Sequence, residues 1–201
     1  YPEAIPLQRL TLEIKTERLQ PDDPSLLLAK NDLALMLGSS APEETEALYK
    51  AAVEGRSRVH GEKSEEAGES LHNYALFLGS VGRRSEAETL LRKAFSIFSE
   101  LHGPFHWRTL MAELSLARVL WAQGDIETAM RMMEENLDKK KKHLEENHTD
   151  TLDALNFLSE CRMIRNDPAG AETLRREHIQ GCRSGLGPRH RTTLESMTSL
   201  A

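Results

Sequence analysis

The stretch "GPFHWRTL", Gly103–Leu110, decides the fold because the chain repeats it. A second stretch, "GPRHRTTL", begins at Gly187, and both read Gly-Pro-x-His-x-x-Thr-Leu. Their histidines, His106 and His190, lie 84 residues apart, which is twice 42. Halfway between them, "ENHTDTL" places His148 in the same register. A fixed period of this length is typical of a repeat protein, in which each repeat is one supersecondary unit.

The series continues toward the N-terminus with other residue types. One step before His106 lies Ser64 in "GEKSEEAG", and a further step, shorter by one residue, reaches Asp23 in "PDDPSLL". Ser and Asp are preferred N-cap residues because their side-chain oxygens accept N–H groups of the first helical turn. Pro24 also suits the first helical position, and a histidine nitrogen accepts the same bond less often. We therefore predict that every residue of this junction series opens a helix: Asp23, Ser64, His106, His148 and His190.

Each repeat contains two helical patterns. In the second repeat, the apolar spacing i, i+3, i+4, i+7 begins at Leu71, and a second pattern with Ala87 and Leu91 follows the turn "GSVGRRSEAE". Charged residues make up 29% of the chain and aromatic residues 5%, which favours helices over strands. We find no strand alternation of useful length. Small residues, which allow two helices to approach closely, recur once in each pattern: Ala34, Ala75, Ala117 and Ser159 in the first, and Ala87, Ala129 and Ala171 in the second.

Composition narrows the class of protein and its compartment. A formal net charge of −6 argues against a general nucleic-acid binder. The two cysteines, Cys161 and Cys182, form no C-x-x-C pair, which favours a reducing, cytoplasmic compartment. No apolar run approaches the ~20 residues of a membrane span. The opening residues "YPEAIPLQRL" lack the pattern of a secretory signal.

A period of 42 residues also occurs in HEAT-type repeats and propeller blades. Helical periodicity excludes propellers, and the spacing of the small residues with the Glu-Ala-Glu start at Glu86–Glu88 decides against HEAT. The repeats resemble tetratricopeptide repeats (TPR), and more narrowly the 42-residue variety of kinesin light chains. The matching motifs are "GPFHWRTL", "GPRHRTTL", "WAQGDIETA" and "SEAETLLRKA". The resemblance implies an all-α fold: a right-handed α-α superhelix, or solenoid, of about four complete helical hairpins with a half repeat at each end.

The resemblance also predicts the limits of each repeat. The whole chain is expected to form a single array of hairpins at 21–60, 62–102, 104–144 and 146–186, with half repeats at 2–19 and 188–200. Natural arrays end in capping helices with polar outer faces, whereas both ends here cut through a repeat. We therefore expect a fragment of a longer protein, or alternatively a chain of which each end stops at an ordered limit. Open repeat ends would allow self-association.

Several motifs invite a chemical reading, and none is strong. His102 and His106 have the i, i+4 spacing of zinc ligands, but a Gly-Pro turn separates them. Cys161 falls at a helical position that suits a small buried thiol, and "GLGPRH" belongs to a repeat junction rather than a phosphate loop. We predict no metal, no cofactor and no catalytic residue, so the chain is not expected to be an enzyme.

The lysine run "DKKKKHLEE", 138–146, is interpreted as a solvated helix end. Cations suit the C-terminal end of a helix dipole, and Lys141 and Lys142 would reach Glu145 and Glu146 at i+4. A ligand-facing or targeting patch is the alternative.

Function is expected on the concave surface, which the first helices line in TPR arrays. In the third repeat, Met111, Leu114 and Trp121 would supply apolar area beside Arg118, and aromatic and Arg side chains often anchor interfaces. Asn side chains match the amide groups of a peptide backbone. Alternatively, Trp121 only covers the next helix of the stack. Other inward positions hold Leu28, Leu35, Leu76 and Met163, and the candidate binding residues are Asn31, Glu69, His72, Asn73, Met111, Leu114, Arg118, Trp121, Asn156, Phe157 and Glu160.

These features predict a protein–protein interaction scaffold that binds a peptide or a partner segment in the concave groove. Nucleic acid and membranes are not expected partners. Two further functions follow from the resemblance alone. One is a regulatory or sensor repeat domain of a larger signalling NTPase, and the other is a kinesin-light-chain-like cargo adaptor.

Overall fold

The computed structural model describes residues 4–143 and 148–198. Over these two ranges the chain forms ten α-helices, a short 3-10 turn at Gly38–Ser40 and no β-strand. Consecutive helices pack in pairs, so the predicted all-α fold of helical hairpins is confirmed. The helices are α1 (Ala4–Arg18), α2 (Pro24–Leu37), α3 (Pro42–His60), α4 (Glu65–Ser80), α5 (Arg84–His102), α6 (Trp107–Gln123), α7 (Ile126–His143), α8 (Thr149–Ile164), α9 (Pro168–Gly185) and α10 (Arg191–Thr198).

The chain divides into two compact units, Tyr1–Gly103 and Pro104–Ala201, called unit 1 and unit 2 below. In unit 1, α1 packs on α2, the hairpins α2–α3 and α4–α5 follow, and α3 packs on α4. In unit 2, the hairpins are α6–α7 and α8–α9, with α7 on α8 and α9 on α10. No helix in the described ranges is long and apolar enough to cross a membrane.

The junction residues cap helices as predicted. Asp23 accepts a hydrogen bond from a main-chain N–H two residues on at 2.8 Å, and Ser64 accepts one three residues on at 3.1 Å. The Nδ1 atoms of His106, His148 and His190 accept from the N–H two residues on at 3.3, 3.2 and 3.3 Å. Three histidines therefore take the role that Asp and Ser have at the earlier junctions.

The small residues mark the helix crossings. All seven are fully buried, as close helix packing requires: Ala34, Ala75, Ala87, Ala117, Ala129, Ser159 and Ala171.

The lysine run differs from its prediction. Lys140 is 0% exposed, and its Nζ donates to the main-chain oxygen of Asp150 at 3.0 Å. Burial lowers the pKa of Lys140 to about 8. Lys141 pairs with Glu177 on α9, and the predicted pairing with Glu145 and Glu146 lies outside the described residues. The interpretation as a solvated helix end is therefore wrong for Lys140, because the start of α8 closes over it.

The same register position holds a cation in two other second helices. Lys15 donates to the main-chain oxygen of Ser25 at 3.1 Å, and Arg56 donates to that of Glu66 at 3.2 Å. Ser25, Glu66 and Asp150 are equivalent positions in the first turn of the following helix. A cation at this position therefore joins one hairpin to the next.

Candidate binding faces of the first helices

In unit 2, the predicted inward positions of α6 and α8 meet on one surface. The guanidinium carbon of Arg118 lies 4.7 Å from the ring centroid of Phe157. Arg118 is exposed and Phe157 is half-buried. Because a guanidinium is attracted to the face of an aromatic ring, this contact holds the two side chains together across neighbouring helices. We call the surface around it the unit 2 face, with Met111, Arg118, Trp121, Asn156, Phe157, Glu160 and Met163.

The predicted inward positions of α6 and α8 also hold apolar side chains. Met111 and Trp121 are half-buried, and Met163 is exposed. Trp121 is therefore partly accessible to a partner. Leu114, the fourth apolar candidate of this repeat, is buried and lies beneath the face.

Polar groups complete the unit 2 face. Asn156 Nδ2 donates to Glu160 Oε1 at 3.0 Å, one helical turn further along α8, and both side chains are exposed. The face thus presents a cation, a carboxylate and an amide beside an aromatic ring. A guanidinium can bind a carboxylate through two parallel hydrogen bonds, and the amide can form hydrogen bonds with a peptide group.

In unit 1, the equivalent surface of α2 and α4 is more apolar. Leu28, Leu35 and Leu76 are all exposed. We call this the unit 1 face. Two amides bridge its helices, since Asn73 Nδ2 donates to Asn31 Oδ1 at 3.5 Å.

Several unit 1 candidates have partners within the protein. Asn31 and His72 are buried, so they support the unit 1 face rather than form its surface. Glu69 is half-buried and lies 3.4 Å from the buried guanidinium of Arg56. Arg56 was not among the candidates, although its register with Lys140 could have indicated a structural cation.

The histidine pair that suggested zinc is divided between two roles. His102 Nε2 lies 3.7 Å from Glu65 Oε2 in unit 1, whereas His106 caps α6 in unit 2. Throughout residues 4–143 and 148–198, no three His, Cys, Asp or Glu side chains are arranged to hold a metal ion.

Both cysteine thiols are free and buried in the protein interior. Cys161 is buried against Met133, with the two sulfur atoms 4.0 Å apart, and burial raises the pKa of its thiol to about 11. Cys182 is also buried, with its Sγ 3.6 Å from His178 Nε2. Burial lowers the pKa of His178. Reactive cysteines are usually exposed thiolates in positive surroundings, which neither site provides.

Comparison with known proteins bears on the fold. Residues 66–142 match the family model of the tetratricopeptide repeat. A search of curated proteins found no match. Solved structures match over almost the whole chain.

Two of these structures carry related repeats. One is the structure of a putative kinesin light chain from Podosopora anserina, whose own TPR-like repeats are nearly identical to one another. It is 21% identical to this chain, with a TM-score of 0.73 over 90% of this chain and 87% of that chain. BtubC (BKLC) from P. vanneervenii is 18% identical, with a TM-score of 0.74 over 94% of this chain and 75% of that one.

A third match is a Rap protein complexed with Competence and Sporulation Factor. It is 15% identical, with a TM-score of 0.67 over 98% of this chain and 57% of that chain. Identities this low show a shared fold. Residues 66–142 thus match the tetratricopeptide repeat, and the chain shares the fold of the TPR-like repeats of a putative kinesin light chain, in agreement with the resemblance seen in the sequence.

Proposed function

We propose that this chain is a protein-interaction scaffold that binds a peptide or an extended partner segment on the exposed surface of its first helices. The observation that carries the proposal is the stacking of Arg118 on Phe157. It joins two inward positions from successive repeats into one partly exposed platform. Aromatic and Arg side chains are enriched among the anchors of protein interfaces.

The unit 2 face offers the elements of such a site. Met111 and Trp121 provide apolar area next to the platform, and a flexible Met side chain adapts to different partner shapes. Asn156 and Glu160 can exchange their mutual bond for bonds to a partner's backbone or to a basic side chain. We infer a partner segment with an apolar or aromatic anchor, flanked by an acidic group for Arg118 and a basic group for Glu160.

The unit 1 face is a second contact region of the same scaffold. Its exposed leucines, Leu28, Leu35 and Leu76, suit the apolar side of an amphipathic helix. Such a partner would bury area that water now covers, which is the main source of favourable free energy in association.

Other observations agree with a scaffold. A Rap protein of similar fold has been crystallised as a complex with Competence and Sporulation Factor. The proposal assigns no catalytic residue and needs no cofactor. Both cysteines are buried thiols, which fits the reducing environment of the cytoplasm, and the net charge of −6 favours protein partners over nucleic acid.

A peptide-array capture with paired variants tests the proposal. Trp121→Ala and Arg118→Ala should each weaken the binding of captured peptides by roughly tenfold or more, since interface anchors typically contribute about 2 kcal/mol. Arg131→Ala changes an exposed arginine of α7 outside the face and should leave binding unchanged. If peptides bind all three variants equally, or only Arg131→Ala weakens binding, the unit 2 face is not the site.

A further inference from the structure

Both tryptophans of the chain lie on one face of α6. Trp107 begins the helix, and Trp121 lies 14 residues further on. The positions between them, at steps of four and three residues, are Met111, Leu114 and Arg118. Residues at these steps are neighbours on the same side of a helix. Trp107 therefore continues the unit 2 face by one helical turn toward the start of α6.

The repeat fold does not require a tryptophan at either position, as the other repeats show. The positions equivalent to Trp107 hold Pro24, Glu65, Thr149 and Arg191. The positions equivalent to Trp121 hold Gly38, Gly79 and Met163. A first helix forms in each of these repeats. The two indoles of α6 are therefore additions to the repeat pattern, and binding is a reason to place such side chains at a surface.

Trp107 is held in place and remains accessible. It is 41% exposed, and the guanidinium carbon of Arg108 lies 4.6 Å from the centroid of its ring. Phe105, which is 48% exposed, stacks on His143 at the end of α7 with the ring centroids 4.0 Å apart. Within residues 4–143 and 148–198, Phe105 and Trp107 are the only aromatic residues among the exposed large apolar side chains. We call Phe105, Trp107, Arg108 and His143 the junction subsite. Because its rings are already stacked, a partner loses less side-chain entropy on binding to them.

The junction subsite and the unit 2 face share one chemical arrangement. In each, a guanidinium stacks on an aromatic ring: Arg108 on Trp107, and Arg118 on Phe157. A stacked guanidinium carries N–H groups around its edge, and these suit a carboxylate. Each arrangement therefore suits an apolar side chain next to an acidic one.

The distance between the two ends follows from helix geometry. A rise of about 1.5 Å per residue places Trp107 and Trp121 about 21 Å apart along α6. An extended segment covers this distance with about six residues, at roughly 3.3 Å per residue.

We infer that the partner segment carries two anchors, one for the junction subsite and one for the Arg118–Phe157 stack beside Trp121. Each anchor is an apolar or aromatic residue next to an acidic one, and about six residues separate the two anchors. The inference rests on the proposed function, since the second anchor binds the unit 2 face. Once one anchor is bound, the other binds within the same complex, which raises the affinity without a stronger contact at either end.

Designed peptides test the two anchors. One peptide carries two Asp-Phe pairs joined by a Gly-Ser spacer that sets the Phe residues about six residues apart, and two further peptides each keep one pair. In fluorescence anisotropy titrations, the native chain should bind the two-pair peptide roughly tenfold or more tightly than either one-pair peptide. Trp107→Ala should abolish this preference, and Trp107→Phe, which keeps an aromatic ring, should retain most of it. Arg131→Ala, on α7 outside both sites, should behave as the native chain.

The one-pair peptides separate loss of an anchor from loss of folding, since Trp107→Ala should still bind them. A native chain with no preference for the two-pair peptide, or a preference that survives Trp107→Ala, would overturn the inference. The proposed function would stand in both cases if Trp121→Ala still weakens the peptides captured on the array. A preference that Trp107→Ala abolishes and Trp121→Ala leaves intact would contradict the inference and the proposed function together.

Discussion

Lys140 donates from its Nζ to the main-chain oxygen of Asp150 at 3.0 Å, and so ties the end of α7 to the first turn of α8. Arg56 makes the equivalent bond to Glu66 in unit 1. A buried cation is costly to desolvate unless it is well bonded. These bonds therefore set how one hairpin meets the next, which is the geometry that brings successive first helices side by side.

The buried ammonium group predicts an unusual pH dependence. Burial holds the pKa of Lys140 at about 8 against an ordinary 10.5, despite the nearby Asp150, Asp153 and Glu113. Between these values the folded chain has released a proton that the unfolded chain still binds, so the free energy of unfolding rises with pH. Relative to Lys140→Met, the native chain should gain about 3 kcal/mol across this window.

Urea unfolding of both proteins at a series of pH values measures this difference. Groups other than Lys140 titrate in both chains and cancel in the comparison. If the free energies of unfolding of the two proteins change in parallel from pH 8 upward, Lys140 has an ordinary pKa and is not buried against Asp150.

Glu46 should make unit 1 sensitive to acid. Its carboxylate accepts from Arg83 at 2.6 Å and from the Tyr74 hydroxyl at 3.0 Å, and Lys50 lies 2.8 Å away. The hydrogen bond from Arg83 is the main cause that lowers the pKa of Glu46 to about 2. The stabilisation is present above the ordinary value of 4.5 and is lost as the pH falls through 2.

The matched variant for this prediction is Glu46→Gln. Because the pair is partly exposed to solvent, we expect the native chain to lose about 1 kcal/mol more than the variant between pH 4.5 and 2. Thermal unfolding followed by circular dichroism gives both curves. Equal losses in the two proteins would remove Glu46 as the acid-sensitive contact.

The histidine cap at His106 can be tested by residue type. His106→Ala leaves the N–H of Arg108 without its acceptor and should cost about 1 kcal/mol, while His106→Asn, which restores an acceptor, should cost less. Hydrogen–deuterium exchange localises the effect to the first turn of α6. Equal costs for both variants would mean that the imidazole stabilises the junction by packing instead.

The sequence predicted those features that depend on residues close together in the chain. A cap involves groups two or three residues apart, so Asp23, Ser64 and the junction histidines could be assigned without knowing the tertiary fold. The lysine run was misread because burial of Lys140 depends on which helix closes over it. Its register with Arg56 carried that information, but a run of charges gives no sign of which member is covered.

The candidate faces show the same division. Register predicted positions on neighbouring helices, and two of the predicted residues, Arg118 and Phe157, are in contact. The register does not give the exposed fraction of a side chain, because that fraction depends on the size of the surrounding side chains. Asn31 and Leu114 were chosen by position and are buried, whereas the exposure of Leu28 could only be seen in three dimensions.

The thiols should be protected in the folded chain. Burial raises the pKa of Cys161 to about 11, and Cys182 is buried as well. A thiol-specific reagent at neutral pH should therefore label neither residue quickly in the native state and both on unfolding. Mass spectrometry of the labelled chain distinguishes the two sites, and rapid native labelling of Cys161 would contradict its placement in the core.

The central claim is that a partner binds the unit 2 face beside Trp121. The chain has two tryptophans, so Trp107→Phe leaves Trp121 as the only indole reporter and Trp121→Phe leaves Trp107. The most direct measurement is the titration of each variant with a peptide captured on the array, followed by tryptophan emission. We predict a saturable emission change in the Trp107→Phe protein and a smaller change in the Trp121→Phe protein. A change confined to the Trp121→Phe protein would contradict the account.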